Sequence, residues 1–187
     1  MSLLAAGLLT TVIFTPPVPE KSKGFSLKET GQGIELSENG NKVFFYQKAT
    51  KESGKYLYNH YLHPVYNLKG EVITEEFPAD HLNHRGIFWS WHQLFINEKS
   101  IGDGWMLENI SQEVAGVVTK VNRKSARFKF RVLWKSSAWE DGKPFVEEES
   151  TVIVHKLEQG IRKIDFEISL KSLVPGVQVG GSNDEKG

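Results

Sequence analysis

QEVAGVVTKVNRKSARFKFRVLW, residues 112–134, decides the fold class, because two runs of strand-like residues flank a short polar turn at 122–125. In the second run every other residue is large and apolar: Phe128, Phe130, Val132 and Trp134. Successive side chains of a strand point to opposite faces, so these four share one face while Lys129 and Arg131 lie on the other. The stretch therefore predicts an antiparallel hairpin with one buried and one solvated side.

The remaining sequence after residue 24 has the same character. Short alternating runs at 25–30, 33–38 and 42–47 are separated by Gly and Asn turns, and runs at 151–157 and 162–172 flank a turn at 158–161. In the last run an apolar row is predicted to point inward: Ile164, Phe166, Ile168 and Leu170. No stretch keeps a helical apolar period, so we predict an all-β protein built as an antiparallel β-sandwich.

IFWSWHQLF, residues 87–95, has no polar face and predicts a central strand that is covered on both sides. Trp89 and Trp91 would then belong to the core. Alternatively, one of them forms a platform on which a sugar stacks its apolar face, with the indole N–H as an orienting donor.

Composition bears on partners and compartment. Lys+Arg and Asp+Glu both number 23, so no excess positive charge attracts nucleic acid, and we predict no nucleic-acid partner. No stretch after Phe14 is apolar for about 18 residues, so we predict no membrane span. Cysteine is absent, which excludes disulfides and thiolate chemistry but leaves the compartment open.

The N-terminal segment 1–14 is apolar and has the length of a signal-peptide core, although no Lys or Arg precedes it. An export signal predicts a periplasmic or secreted protein; a structural segment instead leaves a cytoplasmic one. Residues 15–24 are predicted to be a linker, and 25–187 the β-sandwich domain. Because the chain stops on a polar, glycine-rich segment, we expect that domain to be truncated at its C-terminus, with exposed sheet edges that favour self-association.

The stretch FPADHLNHRG, residues 77–86, concentrates candidate site residues in a loop that precedes the aromatic run. His84 suits proton transfer near neutral pH, and Arg85 offers a fixed donor fork for hydroxyl or carboxylate groups. Asp80 could orient a histidine tautomer or hold Arg85 in place. The alternative is an exposed turn with a structural Asp–Arg pair.

Several further residues are candidates for the same cleft. His63 could face it from the segment 58–78, and His92 from the aromatic run. Asp103 lies between two glycines and is followed by Trp105, a second possible sugar platform. His81, His84, His92 and Asp103 are also suitable metal-ligand types, but an H-x-x-H spacing in a loop is a weak signal, and we predict neither a metal nor a cofactor.

The elements Y-L-H-P at 61–64, G-E-V-I-T at 70–74 and D-H-L-N-H-R-G at 80–86 resemble a family of uncharacterised bacterial proteins that carry the label "methane oxygenase PmoA". In that family the third motif is D-H-P-H-H-R-G, from which this chain departs at Leu82 and Asn83. The resemblance implies a galactose-mutarotase-like supersandwich, here incomplete, and a connection with sugar processing. It also matches His63, Asp80, His81, His84 and Arg85 to motif positions.

These observations together predict a protein that acts on or binds a small-molecule carbohydrate in a cleft lined by His and Arg side chains. His84, His63 and Arg85 are the predicted catalytic residues. The predicted substrate-binding residues are Asp80, His81, Trp89, His92, Asp103 and Trp105. A sugar-binding module without catalysis and a metal-dependent oxygenase are the alternatives, so whether the protein is an enzyme stays open.

Overall fold

A computed structural model describes residues 23–182. The predicted signal segment 1–14, most of the linker and the end of the chain after residue 182 lie outside the described residues. The thirteen strands are β1 (Phe25–Glu29), β2 (Gly33–Glu38), β3 (Asn41–Gln47), β4 (Lys51–Ser53), β5 (Tyr56–Tyr58), β6 (Tyr61–Val65), β7 (Gln93–Ile96), β8 (Lys99–Gly102), β9 (Ile110–Val121), β10 (Ser125–Ser136), β11 (Pro144–His155), β12 (Ile164–Ser172) and β13 (Val177–Gly180). A short 3₁₀ helix, Glu140–Gly142, joins β10 to β11.

All strand pairs are antiparallel, and two sheets of four strands dominate. The first has the order β1-β2-β3-β6 and the second β12-β11-β10-β9. A three-stranded sheet, β13-β7-β8, and the hairpin β4-β5 complete the structure. The prediction of an all-β antiparallel sandwich is confirmed.

The core lies between the two large sheets. Phe44 and Tyr46 of β3 contact Phe128 and Phe130 of β10, with ring centroids 5.2 and 4.3 Å apart. The four alternate residues predicted from 126–134 are all buried. The alternation in that stretch therefore identified the core face of the central strand correctly.

A buried ion pair also connects the two large sheets. The carboxylate of Glu38 on β2 is 2% exposed and accepts hydrogen bonds from Arg162 Nη2 at 2.6 Å and from the Leu157 N–H at 3.1 Å. Both donors lie in the connection between β11 and β12. This contact fixes the start of β12 against the first sheet.

One prediction from the sequence is wrong, and another holds only in part. The run 87–95 does not form one strand, because strand geometry begins at Gln93 and residues 88–92 follow an irregular path. The apolar row of β12 is incompletely covered: Phe166 is 36% and Ile168 42% exposed. In the run 87–95 the aromatic side chains pack although their backbone is not paired as a strand. The apolar row of β12 lies on the core side of its sheet, but β12 is an edge strand and extends beyond most of the first sheet, which covers the core.

Candidate functional site

The tip of the predicted 78–86 loop, residues 78–83, is held between two short backbone segments that pair with each other. The Phe77 N–H donates to the His84 carbonyl at 2.7 Å, and the Gly86 N–H donates to the Glu75 carbonyl at 2.8 Å. Gly86 has φ +71°, and a Cβ at this position would lie 2.2 Å from the Leu62 carbonyl oxygen. Only glycine fits here without a shift of the backbone, so the base of the loop is tightly packed against β6.

Arg85 lies behind the loop, and its side chain is 1% exposed. Nη1 donates to the carbonyls of Asn83 and Trp105, each at 3.0 Å. The guanidinium carbon lies 3.7 Å from the centroid of the Phe88 ring and 4.9 Å from that of Tyr58. Arg85 thus connects the 78–86 loop with the segment around Trp105. Its hydrogen-bond partners are backbone carbonyls, whereas the predicted alternative of an Asp–Arg pair required a carboxylate.

Burial controls the protonation of Arg85. Desolvation lowers the pKa of Arg85 to about 10, opposed by the neighbouring Tyr58 and Tyr61 hydroxyls. The group therefore stays charged at neutral pH. Cation–π contacts with two rings and hydrogen bonds to two carbonyls replace part of its lost hydration. Arg85 does not pair with a carboxylate among the described residues.

The two histidines of the loop lie together at the surface. The rings of His81 and His84 stack with centroids 4.7 Å apart, and His81 Nδ1 is 3.1 Å from Asp80 Oδ2. Hydrogen bonds from its own backbone N–H and from His81 lower the pKa of Asp80. Asp80 therefore orients His81, as predicted for one of its two roles, and not Arg85.

His63 lies on β6 beside Gly86, and its Nδ1 is 2.9 Å from Thr74 Oγ1. Burial lowers the pKa of His63, partly offset by Glu76. Glu76 in turn accepts a hydrogen bond from the Tyr61 hydroxyl at 2.6 Å and pairs with Lys51. Although burial alone would raise it, these bonds hold the pKa of Glu76 below its usual value. His63 thus belongs to a polar cluster below the loop.

Beside the loop is a cleft of about 380 Å³, which we name the His84 cleft. Trp105 and Phe88 form its aromatic wall, with ring centroids 5.0 Å apart. Its other lining residues are Ile73, Thr74, Glu75, His84 and Gly86. The cleft thus combines a partly exposed indole with a carboxylate and an imidazole that come from separate segments.

A second cleft of about 440 Å³, the His92 cleft, is linked to the same aromatic group through His92. His92 stacks on Trp105 with centroids 5.4 Å apart, and its Nδ1 is 2.9 Å from Asp103 Oδ2. The second Asp103 oxygen accepts the Met106 N–H at 2.9 Å. Glu108 and Asn109 also line this cleft.

Close packing holds Asp103 in position. A Cβ on the preceding Gly102 would lie 2.4 Å from the Glu108 carbonyl oxygen, and one on Gly104 would lie 2.8 Å from the Trp91 carbonyl oxygen. The glycines on both sides of Asp103 therefore allow other backbone segments to pack closely against this turn. The carboxylate fixes the ring of His92 and directs Nε2 away from Asp103.

Trp89 belongs to neither cleft. Its Nε1 donates to Glu148 Oε1 at 3.0 Å, and its ring meets His60 edge-on at 5.2 Å. Glu148 is fully buried and also accepts Nε1 of Trp134 at 2.9 Å, while His60 bridges Glu148 and the Tyr46 hydroxyl, both at 2.9 Å. Trp89 is therefore an anchor of the irregular segment, and its indole N–H is already engaged.

Sequence reasoning missed Glu148, which stands in the run VEEEST at 146–151. A usable signal was present: even-numbered positions of β11 are apolar at Val146, Val152 and Val154, and Glu148 has the same parity. Its pKa is below the usual value, because hydrogen bonds from His60 and Trp134 outweigh the desolvation that would raise it.

The structure thus distributes the predicted site residues over five places. His84 and Trp105 line one cleft, and His92 and Asp103 line the other. Asp80 and His81 lie on the exposed loop, Arg85 and His63 lie beneath it, and Trp89 joins the core cluster. Within residues 23–182, no three His, Asp or Glu side chains are grouped to hold a metal ion, and no helix has the length and apolar character to cross a membrane.

Comparison with known proteins identifies a family without an assigned activity. Residues 33–187 match the family of unknown function DUF6807, so the chain belongs to that family. No curated protein and no solved structure matches the chain.

Proposed function

We propose that this member of the DUF6807 family acts on a carbohydrate bound across the His84 and His92 clefts, with Trp105 as the surface on which the sugar ring stacks. The observation that carries the proposal is the position of Trp105, which lines one cleft and stacks against the histidine that lines the other. A pyranose presents apolar C–H groups on its face and hydroxyls around its edge. An aromatic surface with carboxylate and imidazole groups beside it is complementary to both.

The clefts have the size that such a ligand needs. Their volumes of about 380 and 440 Å³ fall in the range of roughly 300–1,000 Å³ that small-molecule sites occupy. Glu75 and His84 would bind hydroxyls in the first cleft, and Glu108 and Asn109 in the second. A neutral sugar fits this lining best, because three carboxylates line the two clefts and Arg85 is buried behind Phe88.

Proton transfer is assigned to His92, with His84 as the second candidate acid or base. Asp103 accepts a hydrogen bond from the Nδ1–H of His92, which selects the tautomer with a free lone pair on Nε2. In that tautomer His92 can remove a proton from a sugar hydroxyl, and the adjacent carboxylate stabilises the imidazolium that forms. Arg85 and His63 would be positioning residues: Arg85 would support the loop, and His63 would hold the side chain of Thr74.

The all-β sandwich is compatible with the mutarotase-like architecture that the sequence motifs suggest, and a sugar-processing role agrees with that likeness. Whether the bound sugar is also converted distinguishes an enzyme from a binding protein. Turnover of a bound sugar makes the protein an enzyme, whereas binding without turnover makes it a sugar-binding module.

The test is a panel of neutral and acidic mono- and disaccharides, measured by calorimetry for binding and by NMR for turnover. Trp105→Ala should weaken binding of the best neutral sugar about tenfold, or about 1.4 kcal/mol. His92→Gln keeps a donor near Asp103 and should lower turnover by roughly 10²–10⁴ with little change in affinity. His155→Gln is the matched control, since His155 pairs with Asp165 at 2.7 Å outside both clefts. Equal binding by wild type and Trp105→Ala would refute the site.

A further inference from the structure

Strand β12 is an edge strand of the second large sheet. Its nine residues pair with β11 alone within residues 23–182, so one side of its backbone has no strand partner there. A long, regular edge of this kind is a template for pairing with a further strand.

Two residues of the apolar row of β12, Phe166 and Ile168, are exposed although their neighbours on β11 are buried. Phe166 lies opposite Val152, and Ile168 lies opposite Ser150, in the antiparallel register with β11. Val152 and Ser150 are each 1% exposed, whereas Phe166 is 36% and Ile168 42% exposed. Burial therefore stops abruptly between β11 and β12, on the side of the sheet that faces the core.

The opposite side of β12 carries charges of both signs. Asp165 and Glu167 lie near the start of the strand and Lys171 near its end. Asp165 is held by His155 and Lys163, with contacts of 2.7 and 3.2 Å. The acidic half and the basic end are complementary when the strand is placed antiparallel to itself.

We propose that two copies of this chain pair through β12, antiparallel about a two-fold axis at Ile168, and form one continuous eight-stranded sheet. In this register Asp165 of one copy faces Lys171 of the other, and Phe166 faces Leu170. Ile168 faces its own counterpart at the axis. Phe166, Ile168 and Leu170 then each gain an apolar neighbour, and on the other side Asp165 gains a basic partner.

Neighbouring registers are less favourable. A two-fold axis perpendicular to the sheet leaves each side chain on its own side of the sheet. Directly opposite residues must therefore belong to the same side, and the axis can pass only through a residue, not between two residues. With the centre at Glu167, two glutamates face each other and Lys163 faces Lys171. With the centre at Ser169, Phe166 faces Ser172 and Asp165 faces Leu173. Among these three registers, only the one centred on Ile168 gives Phe166 an apolar partner and Asp165 a basic one.

The chain has no cysteine, so a single introduced cysteine reports the register directly. Ile168→Cys should form a disulfide-linked dimer under mild oxidation, because the two residues are directly opposite across the axis. Ser169→Cys is the matched control and should cross-link at least tenfold less, since it faces Glu167. Preferential cross-linking of Ser169→Cys, or of neither variant, would overturn the pairing.

The charges provide an independent test by analytical ultracentrifugation of the full chain. Wild type should sediment as a concentration-dependent dimer. Asp165→Lys and Lys171→Asp should each raise the dimer dissociation constant at least tenfold, and the double exchange should restore it to within about threefold of wild type. A wild-type monomer at all concentrations would contradict the proposal, as would a double variant weaker than either single one.

Discussion

Glu148 is the buried group whose substitution tests the structure most directly. Its Oε1 accepts hydrogen bonds from His60 Nε2 at 2.9 Å and Trp89 Nε1 at 3.0 Å, and its Oε2 accepts one from Trp134 Nε1 at 2.9 Å. In Glu148→Gln one oxygen becomes an NH₂ group. If the amide oxygen takes the place of Oε1 and keeps the hydrogen bonds from His60 and Trp89, the NH₂ group takes the place of Oε2. It then faces the indole N–H of Trp134, so that two donors oppose each other.

The expected cost follows from this geometry. The substitution removes a charge-assisted hydrogen bond, typically about 1.5–3 kcal/mol, and leaves a buried donor unsatisfied at about 1–3 kcal/mol. Smaller desolvation of the neutral amide offsets part of this sum. We therefore expect Glu148→Gln to lower the free energy of unfolding by about 2–4 kcal/mol.

Urea denaturation followed by circular dichroism measures the loss, and a double-mutant cycle assigns it. Trp134→Phe removes the opposing donor and keeps most of the ring volume. In the background of Trp134→Phe, Glu148→Gln should cost at least about 1 kcal/mol less than in wild type. A loss below about 1 kcal/mol, or full additivity with Trp134→Phe, would refute the assigned hydrogen bonds.

Acid provides a second measurement on the same group. The folded-state pKa of Glu148 is lower than the ordinary value of 4.5, so the folded protein holds the carboxylate more strongly ionised than the unfolded chain does. Its contribution to stability is complete above the unfolded pKa and is lost as the pH falls through the lower folded pKa. Stability of Glu148→Gln should consequently fall less steeply than that of wild type below about pH 4.5.

Two further substitutions test the support of the loop. Arg85→Lys should lower the free energy of unfolding by about 1–3 kcal/mol, because an ammonium cannot reproduce the hydrogen bonds to Asn83 and Trp105 together with the stacking on Phe88. Thermal melts measure this loss. Arg127 is exposed, so Arg127→Lys is the control and should stay within about 0.5 kcal/mol of wild type. Gly86→Ala should also destabilise by more than about 1 kcal/mol, since its Cβ would meet the Leu62 carbonyl at a positive φ. Gly31→Ala, with open space around its Cβ, is the matched control, and equal melting temperatures for both variants would contradict this reasoning.

The sequence was most informative where alternation was regular. Phe128, Phe130 and Val132 alternate with charged residues, and such a pattern determines which face of a strand is buried. The same rule placed Phe166 and Ile168 on the core side of β12. It does not predict how far the opposing sheet extends, because that depends on pairings between distant segments.

The aromatic run at 87–95 shows a different limit. A strand apolar on both faces and an irregular segment with three inward aromatic rings have the same composition, so periodicity does not separate them. The outcome depends on partners elsewhere in the chain, namely Glu148 for Trp89 and the guanidinium of Arg85 for Phe88. The pairing of His92 with Asp103 is likewise a contact between the residue that precedes β7 and the residue that follows β8, and only residue types indicated it.

The candidate site therefore depends on side-chain anchors in place of backbone pairing. Between Arg85 and His92 the backbone makes one strand-like bridge, Leu62 with Ile87, and the rest of the segment is fixed by Trp89 on Glu148 and by Phe88 under Arg85. An irregular backbone fixed in this way places His92 against Trp105, the indole that also lines the His84 cleft. The two buried charges, Glu148 and Arg85, are thus what connects the stability of the sandwich to the geometry of the clefts.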